Sequence, residues 1–315
     1  MPGRTSFQPR TRLRQRGAAV LLALFIATLA TLIVTGLFYS QFVLLRTIEN
    51  EQLAAQSRLL LRGALDWSRA ILRTDADNSS FDALSEPWAQ PLADMRLDAL
   101  GETAALAARA SISGSIEDAQ GRYNLRNLVN AGQPVEREVE ALRRLVVLLD
   151  LPPAVADLVT ARMLESGVPT STEATGERHP LPPLFPGDLA GISGIDAEAA
   201  RRLAPYLIVL DERTPLNINT APAELIAARI EGLSLAEARA VVAQRERLGH
   251  FRNVDDFRNY LRGNAQLVDG DVASSSRFFL VRGQVRLDRA VTRMEALLKR
   301  GPNNIASVLW QRELL

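Results

Sequence analysis

An uncharged apolar run near the amino terminus constrains this 315-residue chain more than any other feature. No side chain from Gly17 to Leu45 is charged, and the residues before the run include five arginines and no acid, namely Arg4, Arg10, Arg12, Arg14 and Arg16. As one helix the run would be about 43 Å long, more than the roughly 30 Å of a bilayer's hydrocarbon core. We therefore predict a basic leader, residues 1–17, that stays cytoplasmic, and one membrane span, residues 18–40.

The span continues into an amphipathic segment. Apolar residues recur there at helical spacing, at Ile48, Leu53, Leu60, Leu61, Leu65 and Leu72, and no proline occurs between Ala18 and Asp82. This pattern predicts one continuous helix over residues 18–73. A cleaved signal peptide is not favoured, because Ser40, Gln41 and Phe42 form a poor cleavage site. A plain signal anchor that carries a periplasmic scaffold remains an alternative.

Two β-rich segments lie far apart in the rest of the chain. Residues 111–118 alternate small or polar with apolar side chains and lead through a turn at 119–121 into 122–128. Residues 275–286 are the second segment, and a short strand over 294–299 follows. We predict that both segments join one antiparallel sheet, with residues 74–134 as the first part of that domain and 268–315 as its closing strands and tail.

The residues between these segments are predicted to be helical. Helices are expected over 136–149, 154–165, 188–204, 223–230, 234–248 and 254–261, and Ser234 with Glu237 forms a capping box. We expect Asn219 or Thr220 to cap the helix that begins near Ala223. Residues 135–267 would thus be an all-helical insertion, SAM-like or helix-hairpin-helix-like, in a chain of the α+β class.

Together these features resemble the type IV pilin-like proteins and, within them, the minor pseudopilin K family of type II secretion systems. The resemblance rests on the leader that ends in Gly17, the Asp-x-x-Gly turn of 118–121, the run 217–222 (Asn-Ile-Asn-Thr-Ala-Pro) and the closing Phe278-Phe279-Leu280. It implies a long helix packed on a small antiparallel sheet. It also implies an inner-membrane subunit with a periplasmic body, at the tip of a pseudopilus that exports folded proteins across the outer membrane.

The resemblance also assigns residues in the leader and the span. A prepilin peptidase/methyltransferase would cut between Gly17 and Ala18 and methylate Ala18. Most of the family has a glutamate five residues after the cut, where this chain has Leu22. Helix packing would use Ala19, Val20, Phe25, Leu29 and Leu32. The implied partners are other minor pseudopilins, the major pseudopilin, the inner-membrane assembly platform and the lipid bilayer.

A DNA-binding interpretation competes with this one. Residues 217–257 also resemble a helix-hairpin-helix module, in which the N–H groups of a Gly-x-Gly hairpin face a phosphate. The hairpin here, residues 231–235, has Gly232 but no second glycine, and residues 217–262 carry seven arginines and six acids. Non-specific DNA binding needs clustered cations. A membrane-tethered DNA-binding module therefore remains the weaker alternative, and no nucleic-acid partner is expected.

No catalytic residue, cofactor or metal site is predicted. The two histidines, His179 and His250, lie in no metal-protease motif, and the chain has no cysteine and no phosphate-binding glycine loop. Calcium occurs in the pseudopilin K family, yet the corresponding residues 157–162 and 170–183 lack the family's acidic cluster and tyrosines. A net charge of +1 implies no global electrostatic partner.

Overall fold

The computed structural model describes residues 15–96, 109–166 and 185–314. It separates into two units, residues 1–57 and 58–315. We call residues 18–57 the stem and residues 58–314 the body. In chain order the elements are α1 (Gln15–Asn78), β1 (Leu92–Arg96), β2 (Ala110–Asp118), β3 (Tyr123–Asn124), β4 (Val129–Asn130), β5 (Gln133–Pro134), α2 (Glu136–Leu148), α3 (Ala154–Glu165), α4 (Ala197–Leu203), β6 (Leu207–Ile208), β7 (Leu216–Asn217), α5 (Ala223–Arg229), α6 (Leu235–Leu248), α7 (Val254–Arg258), β8 (Val272–Ala273), β9 (Phe278–Leu287), β10 (Ala290–Arg300) and β11 (Ala306–Leu314).

Helix α1 is longer than the predicted 18–73 at both ends. Its carboxyl end is marked by polar residues that bond to the backbone: Asn78 Nδ2 donates to the Thr74 carbonyl at 2.6 Å, and Ser79 Oγ donates to the Phe81 carbonyl at 2.9 Å. Such short polar side chains compete with helical hydrogen bonding and favour a helix end. Among the described residues, α1 is the helix long and apolar enough to cross a membrane, over Ala18–Asn78 by length and composition.

A five-stranded sheet forms one half of the body. Its order is β1-β2-β9-β10-β11, with all neighbours antiparallel. Strands β2 and β9 pair over their full length, so that Asp118 lies opposite Phe279 and Gly114 opposite Gly283. These glycines permit a close approach, because a Cβ on Gly114 would lie 2.6 Å from the Arg282 carbonyl oxygen.

The end of α1 packs against this sheet. Leu61, Leu65 and Leu72 are buried on one face of the helix. Leu61 lies against Gly283, where a Cβ would be 3.2 Å from Leu61 Cδ2. Polar contacts reinforce the packing, since Arg69 Nε donates to the Ala306 carbonyl at 2.7 Å. A long helix whose carboxyl end packs on an antiparallel sheet confirms the predicted α+β class.

The structure corrects three expectations about the strands. Residues 122–128 do not continue the sheet: β3 pairs in parallel with β6, and a 3₁₀ turn follows over Leu125–Leu128. The cause is Asn124, whose side chain accepts from the Arg126 N–H and so bends the chain. The sheet also has two outer strands that were not predicted, β1 and β11, and the expected tail is therefore an edge strand.

Helices α2 to α7 surround the largest apolar core of the body. Its fully buried side chains include Leu142, Leu145 and Phe251, and it extends to Tyr123 before the predicted insertion and Val272 after it. The capping box of Ser234 and Glu237 is confirmed. The single helix expected over 188–204 is wrong. Gly194, at φ +91°, separates a 3₁₀ turn (Pro186–Gly191) from α4, which Asp196 caps.

Candidate assembly stem and buried junction

The stem exposes a continuous apolar surface. The exposed fraction is 47–70 % for the residues Val20, Leu22, Phe25, Leu29 and Leu32. Ala19 is exposed beside them. An apolar surface of this extent on a helix requires lipid or other apolar helices as its surroundings. The segment thus has the length and composition of a single membrane-spanning helix.

Threonine hydroxyls in the uncharged part of the stem bond within their own helix. The hydroxyls of Thr28, Thr31 and Thr35 each donate to a carbonyl three or four residues earlier, at 2.8 Å. Position 22 carries an apolar side chain instead of a carboxylate. The described part of the stem before Arg46 therefore offers lateral apolar contact and no charged group.

The predicted processing residues lie at the start of α1. Gly17 and Ala18 are both within the helix, which begins at Gln15. Leader residues 1–14 lie outside the described residues, and so do His179 and the loop 170–183 that was compared with the family's calcium region. Cleavage and methylation at this position stay predictions.

A buried polar junction joins the helical part of the body to the sheet. Its centre is Asn217, fully buried, whose Nδ2 group donates to the Asp82 carbonyl at 2.9 Å, to Asp118 Oδ2 at 2.8 Å and to Ser276 Oγ at 3.0 Å. Thr220 Oγ1 donates to the same Asp118 oxygen at 2.6 Å. One amide and one carboxylate thereby hold together four segments that are distant in sequence.

Asp118 is the acceptor that collects these bonds. Besides Asn217 and Thr220, the Ser276 hydroxyl and the Gln120 N–H donate to it. Burial raises the pKa of Asp118, and the four hydrogen bonds oppose that rise because they favour the charged carboxylate. A buried carboxylate is tolerated only when its oxygens are satisfied in this way.

Asn219 and Thr220 do not cap α5 as expected. The residue at the cap position is Pro222, without a side-chain cap bond. Asn219 instead receives a hydrogen bond from the Phe251 N–H and returns one to the Phe251 carbonyl, at 2.8 and 2.9 Å. Asn219 thus bonds within the apolar core, and Thr220 bonds within the junction. Their partners are far away in sequence, and no local pattern reveals them.

Arg300 extends the junction to the end of α1. Its guanidinium bonds Asp82 Oδ2 at 2.6 Å and the Ser276 carbonyl at 2.7 Å. Burial raises the pKa of Asp82 to about 6, while Arg300 and the Ser276 N–H oppose the rise. Sequence reasoning did not find Asp82, Ser276 or Arg300, because single residues in a strand or loop carry no signal of this pairing.

The hairpin that would face a phosphate in the DNA-binding alternative contacts other residues of the body. Gly232 has φ +78°, and a Cβ there would lie 2.5 Å from the Asn264 carbonyl oxygen. The Glu231 carbonyl accepts from the Gln266 N–H at 2.8 Å. This hairpin packs against residues 264–266, which favours a structural role over phosphate binding. His250 likewise stacks on Phe81, with ring centroids 3.8 Å apart.

Three comparisons with known proteins bear on these features. The family described as "Type II secretion system (T2SS), protein K" matches residues 216–275, a range that starts at the junction motif. The type II secretion system protein K of Pseudomonas aeruginosa is 28 % identical over 94 % of this chain and 92 % of its own length. That of Pectobacterium carotovorum subsp. carotovorum is 26 % identical, covering 91 % and 93 % respectively.

A solved structure has the same fold. A chain of the crystal structure of the GspK–GspI–GspJ complex from the enterotoxigenic Escherichia coli type 2 secretion system superposes with a TM-score of 0.66. It is 21 % identical, and the match covers 85 % of this chain and 99 % of that one.

The apolar stem and the sheet packed on the end of α1 define a pilin-like subunit. The family match covers the part of the helical region that contains the junction motif, residues 216–275. The sequence is thus similar, over nearly its whole length, to proteins of the type II secretion system protein K family. Both relatives are named as proteins of the type II secretion system.

Proposed function

We propose that this subunit lies at the tip of a type II secretion pseudopilus, where it starts and caps assembly for the export of folded proteins across the outer membrane. The observation that carries the proposal is Leu22, an exposed apolar residue at the position where most pilin-like subunits have glutamate.

The argument for the tip is electrostatic. A carboxylate within lipid is costly unless it is paired, and in these filaments it pairs with the terminal amine of the neighbouring subunit. A subunit with no neighbour above it needs no such carboxylate. Once cleaved before Ala18, it still presents an amine to the subunit below. Leu22 and Ala18 together therefore fit a first subunit and not an internal one.

The proposed partners follow from the solved relative and from the family. In that crystal structure, GspK forms a complex with GspI and GspJ. We propose that counterparts of GspI and GspJ associate with this chain, and that the major pseudopilin, the assembly platform and the prepilin peptidase/methyltransferase act on the stem. The arginine-rich leader would remain in the cytoplasm and the body would be periplasmic.

The test is a substitution at the position that lacks a charge. Leu22→Glu should reduce secretion of a reporter substrate and recovery of the other minor pseudopilins in crosslinked complexes, because its carboxylate has no amine to pair with. Leu22→Ile is the matched control and should secrete normally. Secretion and complex recovery equal to wild type with Leu22→Glu would refute the tip argument.

Processing is tested separately. Mass spectrometry of the mature chain should show an amino terminus at Ala18 that carries one methyl group. A leader that remains attached in a strain with an active peptidase would contradict the proposed role of the stem.

A further inference from the structure

Three carboxylates outside the assembly stem converge where α1 ends. Asp75 lies in the last turn of the helix, and Asp82 and Glu86 lie in the loop that follows. One oxygen from each side chain lies within 4.8 Å of the other two. The Asp82 side chain is 1 % exposed and that of Asp75 is 9 % exposed, so water contributes little to their solvation.

The cluster has more negative charge than its surroundings compensate. Among the described residues, Arg300 is the basic side chain that faces it, 2.6 Å from Asp82 and 3.7 Å from Asp75. When all three carboxylates are ionised, one guanidinium leaves two negative charges uncompensated. In addition, Asp75 Oδ2 and Asp82 Oδ1 are buried and accept no hydrogen bond, which is costly for a carboxylate oxygen.

The surrounding bonds hold the carboxylates in place. Glu86 Oε2 accepts from the Ala83 N–H at 2.7 Å and from the Trp88 indole N–H at 3.1 Å. The Ser276 N–H donates to Asp82 Oδ2 at 2.7 Å. A cavity of about 530 Å³, whose lining includes Asp75 and Glu86, connects the cluster to solvent and has room for additional water ligands.

We propose that Asp75, Asp82 and Glu86 bind one divalent cation of the calcium type. An ion of charge +2 neutralises the two uncompensated charges and gives the orphaned oxygens a partner. All the donors are oxygen atoms, which Ca²⁺ accepts in sets of six to eight and which do not favour softer metals. The ion would fasten the end of α1 to the following loop and, through Asp82 and Arg300, to the sheet.

A proton is the competing occupant. Burial, together with Glu86 and Asp82, raises the pKa of Asp75 to about 7. A shared proton would relieve the repulsion between neighbouring carboxylates as well, so the experiment must distinguish the two.

Terbium luminescence reports this site directly, because Trp88 bonds to one of the proposed ligands. The full chain in detergent, freed of metals with a chelator, is titrated with Tb³⁺ while tryptophan is excited. We expect saturable emission that Ca²⁺ displaces. We also expect Ca²⁺ alone to raise the Tm of the body. Asp75→Asn and Glu86→Gln should each weaken Ca²⁺ binding by at least about tenfold, a loss of about 1.4 kcal/mol.

Two controls define the outcomes. Asp255→Asn, at an exposed acid in α7, should bind as wild type does. Trp88→Phe should lower the emission and keep the Ca²⁺-dependent rise in Tm.

The proposal is overturned if wild type shows neither emission nor a Tm shift, or if both ligand variants respond as wild type does, which would mean an adventitious ion only. An Asp75→Asn protein that is more stable than wild type at neutral pH in saturating Ca²⁺ would point to the proton and overturn it as well.

Discussion

Asn217→Ala should destabilise the body strongly. The side chain is fully buried, its two N–H groups serve three acceptors, and its Oδ1 accepts from the Asn219 N–H at 2.9 Å. A hydrogen bond to a carboxylate contributes about 1.5–3 kcal/mol and a neutral one about 1 kcal/mol. Two N–H groups can make only two full hydrogen bonds, so the three contacts of Nδ2 count as one charged and one neutral bond, and the bond to Oδ1 adds a second neutral one. We therefore expect the free energy of unfolding to fall by about 4 kcal/mol.

Tryptophan fluorescence measures this loss in the body alone, since all three tryptophans (Trp67, Trp88 and Trp310) belong to residues 58–315. For a domain of this size, about 4 kcal/mol corresponds to a fall in Tm of about 8–16 °C. Asn303→Ala, at an exposed turn, is the matched control and should change the free energy by less than about 0.5 kcal/mol. A fall below about 2 °C for Asn217→Ala would refute the idea that this amide holds the junction together.

Two further predictions concern the same region. Gly121→Ala should destabilise the body by about 1–3 kcal/mol, because its Cβ would lie 2.7 Å from Thr220 Oγ1, whereas Gly187→Ala has open space and should be neutral in the same thermal unfolding assay. With Ca²⁺ chelated, Tm should fall as the pH rises from about 4 to about 7. The reason is that Asp82 and Asp75 have folded-state pKa values raised to about 6 and about 7, so that the folded state binds more protons than the unfolded state and that stability is lost on deprotonation. The fall should be smaller in Asp75→Asn, and an equal fall in both proteins would contradict the assignment.

Local patterns predicted the helices with strong sequence signals. The charge-free run gave the start of α1 to within a few residues, Pro152 and Pro153 separated α2 from α3, and the Ser234 capping box marked α6. Each of these signals depends on neighbours within one or two turns, which is why a single sequence is sufficient to read them.

The edge strands were less accessible to prediction. β11 is mostly exposed and includes charged residues, so it lacks the regular alternation of a half-buried strand, and its strand pairing is with β10. The junction was inaccessible for another reason. Asp118 and Ser276 are 158 positions apart, and only the folded chain shows that their side chains share a hydrogen bond.

The register of β2 and β9 has a consequence for how this fold tolerates change. The chain leaves the sheet after Asp118 and returns beside it at Phe279, in adjacent antiparallel strands. Everything between these residues, including all six shorter α-helices described, thus occupies the topological place of a hairpin loop. The cost of closing such a loop grows only slowly with its length. The strand order of the sheet would therefore be compatible with a much shorter connection. The helical region between β2 and β9 could be replaced or changed in length while the sheet keeps its topology.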